Sequence, residues 1–303
     1  MRITNGVEKD PHFILLYGTE GIGKTSFAAS FPGAIVLDIE KGSKRLNVAR
    51  NTDIQSFDDL IAAIEWLQKQ KHNFKSVIID SLDHVEPMVW AKTCQMHGGK
   101  TIEDVGGGFQ KGYVFALDTW RLLIRSLQAL RTNRGMNIVC VAHAKVIAVN
   151  DPSQAIPYDK FTLKLHENKQ VSASALWKEA CDAVLFANYE DTVFKVNKTD
   201  KKGKADGEGV RKLFTVRRAA FDAKNRLGLP AELPLDYESF ARAAEVGQPD
   251  SLEQIQADLT TLLSSASEDV AKRMKTAIEK AGSNVTDLIK IRNHARVLVG
   301  GAA

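Results

Sequence analysis

The sequence predicts an α/β fold in which a mainly parallel, twisted sheet is flanked by helices, followed by a small C-terminal helical domain. Short apolar runs such as Phe13–Tyr17 and Ser76–Asp80 have the length and composition of buried strands. Between them lies Ser56–Lys71, which has one apolar face at helical spacing and opens with a capping box of Ser56 and Asp59. Strands that alternate with amphipathic helices are typical of parallel sheets covered on both faces.

The chain changes character at the linker-like stretch Gly247–Asp250. Beyond it, apolar positions recur at helical spacing through three segments, without further strands and without a catalytic pattern. We therefore divide the chain into a core of residues 1–246 and a C-terminal helical domain of residues 247–303. This domain could pack on the core, support assembly or bind a partner, and the pattern does not choose among these roles.

Length and composition are those of a soluble globular protein. The 303 residues leave room for one large α/β domain and a small appendage. The chain is 44% hydrophobic and 26% charged, and it contains neither an apolar run long enough for a membrane span nor a signal-peptide pattern. Its three cysteines are widely spaced and match no disulfide framework or zinc motif. We therefore expect reduced thiols, a cytoplasmic location and no membrane partner.

One motif organises the rest of the chain. Gly18–Thr25 fits G-x-x-x-x-G-K-[ST] and lies between an apolar strand and the start of a helix. In such a loop the glycines let backbone N–H groups close around a phosphate, and the helix N-terminus adds a favourable dipole. Lys24 would reach the β- and γ-phosphates of ATP, and Thr25 would hold Mg²⁺. The predicted nucleotide-binding residues are Gly18, Thr19, Glu20, Gly21, Ile22, Gly23, Lys24, Thr25 and Ser26.

Acidic residues end the next two apolar runs. Ser76–Asp80 ends in an acid 56 residues after Lys24, with one βα unit between them, which is the arrangement of a Walker B aspartate. Asp80 would therefore take Mg²⁺ through its water shell. Asp38 and Glu40 stand at the end of the run Ala34–Ile39, and ligands collect at this edge of open parallel sheets.

A histidine, His143, follows a further apolar run, Asn137–Ala142, so we expect it at the same edge of the sheet. A polar side chain at that point can touch the γ-phosphate and transmit its presence to the following loop. A lone histidine is as often a purely structural residue, and the sequence leaves both interpretations open.

Two segments are candidates for nucleic-acid contact. Gly106–Tyr113 contains four glycines and a lysine flanked by two aromatic residues, a combination that nucleic-acid-binding loops use. A mobile connector explains this segment equally well. Lys145–Ser174 is long, polar and interrupted by prolines, so we expect a second functional loop there. The side chains expected to contact DNA from these segments are Phe109, Lys111, Tyr113 and Lys145.

The positive charge of the chain is concentrated in one segment. The formal net charge is +4, but residues 195–226 contain 11 Lys and Arg against 4 Asp and Glu, a net +7. Such an excess suggests a polyanionic partner, although a solvated hairpin would have the same composition. Val193–Val196 and Leu213–Val216 look like the two strands of this hairpin. The lysines of its connection that we expect to contact DNA are Lys201, Lys202 and Lys204.

Two short patterns in this part of the chain differ in how strongly they indicate a function. Asn197–Asp200 matches N-K-x-D, the guanine-reading motif of GTPases, but no D-x-x-G accompanies Asp80, so GTP is a minor alternative to ATP. Lys224 and Arg226 form a K-x-R pair directly after a predicted strand. Two cations two residues apart in extended backbone point to the same side. Arginine fingers are presented to a neighbour's phosphate in this way, and an ordinary surface pair is the alternative.

The order of these features resembles the RecA/Rad51 ATPase core over about residues 11–240. It resembles most of all the minimal RecA-like ATPases of bacteriophages in the Sak single-strand-annealing group. The resemblance implies that Glu40 activates the attacking water and that Lys224 and Arg226 act on the nucleotide of an adjacent subunit. His143 occupies the sensor position, where RecA has glutamine. The implied catalytic residues are Lys24, Glu40, His143, Lys224 and Arg226, with Thr25 and Asp80 at the metal.

The same resemblance implies a phage-encoded DNA recombination protein that binds and hydrolyses ATP with Mg²⁺. It would bind single-stranded DNA and promote annealing or strand pairing. Its implied partners are single-stranded DNA, further copies of the chain in a head-to-tail ring or filament, and a single-strand-binding protein. The alternative is a helicase or helicase loader built on the same core, and ring or filament geometry would separate the two.

Overall fold

The computed structural model describes residues 10–151, 154, 156–190, 192–194, 204–206, 209–247 and 252–300. It consists of two compact units, Asp10–Glu245 and a smaller unit that includes the chain from Val246 onward. None of the helices in the described residues is both long enough and apolar enough to cross a membrane.

The larger unit is built on a mostly parallel sheet. Within the described residues the sheet has ten strands, in the order β12-β10-β7-β1-β5-β4-β2-β3, with β11 added beside β7 and β6 beside β5. Its strands are β1 (Phe13–Gly18), β2 (Ala34–Asp38), β3 (Ala49–Asn51), β4 (Ser76–Asp80), β5 (Asn137–Val149), β6 (Tyr158–Leu163), β7 (Ala183–Tyr189), β10 (Arg211–Phe214), β11 (Lys224–Asn225) and β12 (Glu232–Pro234). The strands β8 (Thr192–Phe194) and β9 (Lys204–Asp206) pair with each other.

Helices follow most of the parallel strands. In chain order they are α1 (Lys24–Ala29), α2 (Phe57–Lys69), α3 (Leu82–His97), α4 (Lys111–Arg134), α5 (Ala173–Ala180), α6 (Tyr237–Gly247), α7 (Leu252–Ser265), α8 (Glu268–Ala281) and α9 (Val285–Gly300). The predicted capping box is confirmed at α2, where the Asp59 N–H donates to Ser56 Oγ and the Ser56 N–H donates to the Asp59 carboxylate. The predicted α/β class, with helices around a mainly parallel sheet and helices at the C-terminus, is confirmed.

Apolar residues of β1 alternate between the two faces of the sheet, and each face has its own core. Phe13, Leu15 and Tyr17 pack into a cluster with residues of α2, α3, α4 and α5. Ile14 and Leu16 pack on the opposite face with residues of α1 and α6. A strand places successive side chains on opposite faces, so a fully buried β1 requires helices on both. The P-loop strand is therefore held in the interior of the larger unit.

The register of the parallel strands brings their carboxyl ends together. Gly18 of β1 lies beside His143 of β5, and Asp80 of β4 lies beside both Asp38 of β2 and Val141 of β5. Because β5 lies between β1 and β4 and its parallel pairing with β1 ends at His143, this residue lies between the P-loop and the Walker B aspartate. We name this end of the sheet the carboxyl edge, and its opposite the amino edge.

The segment Lys145–Ser174 is not the long loop that the sequence suggested. The strand β5 continues through Val149 and forms an antiparallel hairpin with β6, and α5 begins at Ala173. Along residues 146–149 the side chains alternate between exposed and half-buried, as they do in a strand, so the predicted strand end at Ala142 was seven residues too early.

The predicted pairing of the basic hairpin is also wrong. The strand β8 pairs with β9, whereas β10 joins the main sheet antiparallel to β7 and β12. Leu213 and Phe214 of β10 are buried, and their apolar side chains complete the sheet instead of a free hairpin. Lys201 and Lys202 lie outside the described residues, as does the side chain of Lys204.

The helices α7, α8 and α9 form a small bundle of their own. Ile255 and Leu259 of α7, Met274 of α8, and Leu288 and Ala295 of α9 make its buried core. The three helical segments predicted after the linker are thereby confirmed as helices.

Candidate nucleotide-binding site

The P-loop has the backbone that phosphate binding requires. It connects β1 to α1, and Gly21 and Gly23 have φ values of 72° and 106°, in the left-handed region where L side chains are strained. A Cβ on Gly18 would meet the carbonyl oxygen of Ala187 at 2.1 Å, so any larger residue there would separate β1 from β7. Glycine at these positions follows from the shape of the loop.

Lys24 holds its ammonium group at the centre of the loop. Its Nζ donates to the carbonyl oxygens of Thr19 at 2.8 Å and Gly18 at 3.1 Å, and the residue is only 6% exposed. Burial lowers the pKa of Lys24, and the carboxylates of Glu40 and Asp80 oppose that shift. A buried ammonium group that donates to carbonyl oxygens can donate to phosphate oxygens in their place, so Lys24 is well placed to bind a phosphate.

The two predicted metal ligands meet. Thr25 Oγ1 donates to Asp80 Oδ2 over 2.8 Å. Burial raises the pKa of Asp80 to about 6, although the Thr25 hydrogen bond lowers it. Among the described residues nothing donates a hydrogen bond to Asp80 Oδ1, which is buried. A hydroxyl and a carboxylate with one unpartnered oxygen are hard oxygen donors that suit Mg²⁺, so these two residues fit a magnesium ion beside the P-loop.

The two acids at the end of β2 and just beyond it have separate roles. Asp38 is fully buried and accepts hydrogen bonds from the N–H groups of Gly42 and Ser43 and from Ser43 Oγ, so it holds the loop after β2. The N–H groups of Ile39 and Glu40 both donate to the Asp80 carbonyl, at 2.9 and 3.0 Å. The Glu40 side chain is 32% exposed and faces the cleft. Glu40 is the acid left available for chemistry.

His143 is fixed by an aspartate that the sequence analysis did not single out. Its Nδ1 lies 2.8 Å from Asp83 Oδ2, and its N–H donates to Asp83 Oδ1 at 3.0 Å. The hydrogen bond to Asp83 raises the pKa of His143, against its partial burial. Burial alone would raise the pKa of Asp83, but the bonds from His143 lower it to about 2. The ring thereby turns Nε2 toward Glu40 Oε1, 3.9 Å away.

Ser81 and His84 complete the surroundings of Glu40. The Ser81 hydroxyl donates to Glu40 Oε2 at 3.2 Å and lies 2.8 Å from His84 Nδ1. Asp83 and His84 stand in the first turn of α3, directly after the Walker B strand. Their position at a strand-to-helix junction on the carboxyl edge was the sequence signal that could have identified them.

These side chains surround a cleft of about 250 Å³. Arg45, from the turn after β2, also lines it and was not predicted. Arg211 of β10 reaches the P-loop from the other side, with Nη1 3.4 Å from the Ile22 carbonyl oxygen. No local sequence pattern predicts this position of Arg211, because it is the pairing of β10 with β7 that brings the side chain to the P-loop. The residues that line the cleft are Gly21, Gly23, Lys24, Thr25, Ser26, Glu40, Gly42, Arg45, Leu46, Asp80 and His143.

The K-x-R pair lies at the amino edge of the sheet. Lys224 and Asn225 pair with Val184 and Ala183, at the start of β7. Lys224 Nζ donates to three carbonyl oxygens at the end of α5, and burial lowers its pKa. Lys224 therefore has a partner in its own chain, which differs from the free cation that the sequence suggested. Arg226 is exposed. The action of either residue on a neighbour stays a prediction.

The residues predicted to contact DNA differ in exposure and in whether their side chains already have partners within the chain. Phe109 is 91% exposed, and Lys111 is exposed in the first turn of α4. Tyr113, in contrast, stacks on His166 with ring centroids 3.8 Å apart and an interplanar angle of 6°. Lys145 donates to the Leu165 carbonyl oxygen. Phe109 and Lys111 are available for a nucleic acid, whereas Tyr113 and Lys145 are engaged within the chain.

Comparisons with known proteins place the chain in a family. A sequence profile of the AAA domain family matches residues 10–227. The chain therefore belongs to this family and is a P-loop ATPase of its class. Among solved structures it is similar to one described as the RadB recombinase, with 14% identity and a TM-score of 0.34, over 71% of this chain and 91% of that one. No curated protein matches the chain significantly.

Proposed function

We propose that this member of the AAA domain family is a Mg²⁺-dependent ATPase of DNA recombination that binds single-stranded DNA and promotes annealing or strand pairing. The observation that carries the ATPase part is the meeting of Lys24, Thr25, Asp80 and Glu40 at one edge of the sheet. The recombination part is supported by the resemblance of the motif order to the RecA/Rad51 core.

Each residue of the cleft has a distinct part in hydrolysis. The ammonium group of Lys24 neutralises charge on the β- and γ-phosphates. Thr25 and Asp80 hold Mg²⁺, which when bound neutralises charge that develops on the phosphate oxygens. Glu40 lines the same cleft as Lys24 and orients the attacking water, whose proton its carboxylate accepts. The Asp83 carboxylate fixes the His143 ring, so that Nε2 reports the presence of the γ-phosphate.

The DNA-binding part of the proposal is supported by charge and by one aromatic residue. The net +7 of residues 195–226 suits a polyanion, and exposed Phe109 offers a face on which a base can stack. Single-stranded DNA, further copies of the chain and a single-strand-binding protein are the partners we propose. A head-to-tail assembly would bring the exposed Arg226 of one subunit toward the cleft of the next.

The ATPase proposal is tested by substituting Lys24. Lys24→Ala removes the cation from the loop, so we expect ATP binding or turnover to fall by roughly 100-fold or more. A matched control is Lys69→Ala, which removes an exposed lysine paired with Glu65 on α2 and should leave both unchanged. Equal ATP binding and hydrolysis in Lys24→Ala and the wild type would refute the site. A preference for GTP of roughly tenfold or more would restore the guanine-reading interpretation of Asn197–Asp200.

The recombination proposal needs a separate measurement. Complementary single strands labelled with a fluorescent pair should anneal faster with the protein and ATP than with either alone. ATP-driven unwinding of a duplex, without accelerated annealing, would favour the helicase alternative. Electron microscopy of the complex with ATP and single-stranded DNA then separates a filament from a ring.

A further inference from the structure

Three side chains with metal-binding atoms meet beside the nucleotide cleft. Glu40, His84 and His143 each offer one ligand atom, and these atoms all lie within 4.8 Å of one another. Elsewhere in the described part of the chain, no group of three or more His, Cys, Asp or Glu residues meets this criterion. The catalytic role of Glu40 alone does not explain why two histidine side chains lie so close to it.

The distances suit a small ion. Glu40 Oε1 lies 3.9 Å from His143 Nε2, and Glu40 Oε2 lies 3.6 Å from His84 Nδ1. Two ligands bound to a tetrahedral zinc ion lie roughly 3.4 Å apart, given metal–ligand distances of about 2.0–2.2 Å. The ligand atoms, which all lie within 4.8 Å of one another, would reach this separation through small rotations about the side-chain bonds.

The site already has part of a second shell. A histidine that binds a metal commonly gives its other ring nitrogen to a carboxylate, which fixes the ring. His143 has this arrangement, since Nδ1 is held by Asp83 Oδ2 at 2.8 Å and Nε2 faces Glu40. The side chain of His84 is 46% exposed, so the cluster opens to solvent on that side and leaves room for a water ligand.

The donor set selects the class of metal. Two imidazoles and one carboxylate suit Zn²⁺, Co²⁺ or Ni²⁺, whereas Mg²⁺ prefers oxygen ligands alone. The magnesium ligands proposed above, Thr25 and Asp80, are oxygen donors and do not belong to this cluster. We propose that Glu40, His84 and His143 form a binding site for Zn²⁺ or a similar divalent transition-metal ion.

The site has a regulatory consequence. A zinc ion bound there occupies the Glu40 carboxylate, which then cannot accept a proton from water, and ATP hydrolysis stops. This consequence rests on the proposed ATPase function, whereas metal binding itself rests on the three side chains alone. The two are therefore measured separately.

The test is metal binding by the nucleotide-free, metal-stripped full chain. Titration of Zn²⁺ against a chromogenic zinc indicator should give one site, and millimolar Mg²⁺ should not displace the ion. His84→Ala removes one of the three ligands and should weaken binding by at least the roughly 10- to 100-fold that loss of an outer-shell partner costs. The matched control is His97→Ala, whose ring stacks on Phe115 outside the cluster and whose loss should not change the affinity. Equal Zn²⁺ affinity in His84→Ala and the wild type would overturn the proposal.

A spectroscopic measurement covers the case in which His84→Ala fails to fold. Co²⁺ bound to the wild type should show visible bands of four- or five-coordinate metal without sulfur-to-cobalt charge transfer. His84→Cys should retain the metal and add that charge-transfer band, because the new thiolate becomes a ligand. A charge-transfer band in the wild type would instead assign the metal to a cysteine and overturn the proposal. Zinc binding that fails while ATP hydrolysis persists refutes only this inference, and the reverse result refutes only the proposed function.

Discussion

Two lysines at opposite edges of the same sheet both donate to backbone carbonyls, and their surroundings separate their roles. At the carboxyl edge, Lys24 bonds two P-loop carbonyls beside an open cleft that carries Glu40 and Asp80. At the amino edge, Lys224 bonds three carbonyls at the end of α5. A helix end leaves carbonyls without partners, and a cation there stabilises the fold. The hydrogen bonds of the two lysines therefore do not distinguish their roles, whereas the acidic groups that line the open cleft beside Lys24 do.

The largest expected effect tests whether Glu40 serves catalysis and Asp38 serves the fold at the carboxyl edge. Glu40→Gln should keep ATP binding and lower turnover by roughly 100-fold or more, because the amide cannot accept a proton. Asp38→Asn is the matched change two residues away. Asp38 is buried against Gly42 and Ser43, so its substitution should lower the unfolding temperature more than it lowers the rate of ATP hydrolysis. Turnover and nucleotide binding are measured for both variants. An Asp38→Asn protein that is stable and binds ATP, yet is inactive, would exchange the two roles.

The second effect asks whether the amino edge takes part in catalysis through a neighbour. Arg226→Ala should lower hydrolysis by roughly tenfold or more at protein concentrations that favour assembly, because a finger stabilises transition-state charge. An equimolar mixture of Lys24→Ala and Arg226→Ala chains should regain activity, since a mixed interface pairs one intact P-loop with one intact arginine. No recovery despite measured subunit exchange would leave Arg226 without a role in the neighbour's site.

The third comparison concerns two aromatic residues, Phe109 just before α4 and Tyr113 in its first turn. Phe109→Ala should weaken binding of single-stranded DNA by roughly fivefold or more, since stacking contributes about 1–3 kcal/mol per base. Tyr113→Ala should affect DNA less and stability more, because its ring is stacked on His166. Fluorescence anisotropy at several salt concentrations provides the affinities, and the affinity of the wild type should fall steeply with salt. A salt-independent affinity, or a larger loss for Tyr113→Ala, would contradict this assignment.

The smallest effect tests whether the charges of the segment leading into β11 serve the fold. The Asp222 carboxylate accepts hydrogen bonds from Lys160 and Lys178, and these bonds lower its pKa in spite of its burial, which acts in the opposite direction. A lowered pKa in the folded state contributes stability above the ordinary aspartate pKa of about 4, and this is lost as the pH falls through the folded value. Asp222→Asn should therefore cost roughly 1–2 kcal/mol at neutral pH, with a difference from the wild type that shrinks below about pH 4.

The control for this last prediction is Asp118→Asn, in an exposed pair with Arg121. We expect a change under about 0.5 kcal/mol at any pH, since exposed pairs contribute little. Urea denaturation of both variants across the pH range checks the result. A pH-independent loss in Asp222→Asn would show that packing, and not charge, accounts for its stability.

Much of the nucleotide site follows from local sequence patterns. The P-loop motif locates Lys24 and Thr25, and short apolar runs locate Glu40, Asp80 and His143 at the carboxyl edge, although β5 itself continues beyond His143. Parallel strands place all their carboxyl ends at one edge, so these residues must converge once the sheet forms. The capping box and the three C-terminal helices are equally local, because helix starts and apolar periodicity are encoded within a few turns.

What the sequence left open depends on contacts between distant residues. Asp83 meets His143 across 60 positions, Lys224 meets the end of α5 across more than 40, and Arg211 meets Ile22 across 189. Each pairing exists only because the sheet order places two segments side by side, and no local pattern encodes that order. The sequence by itself determined which residues stand at the carboxyl edge, whereas the tertiary structure decided which side chains restrain them and which cations are already engaged within the chain.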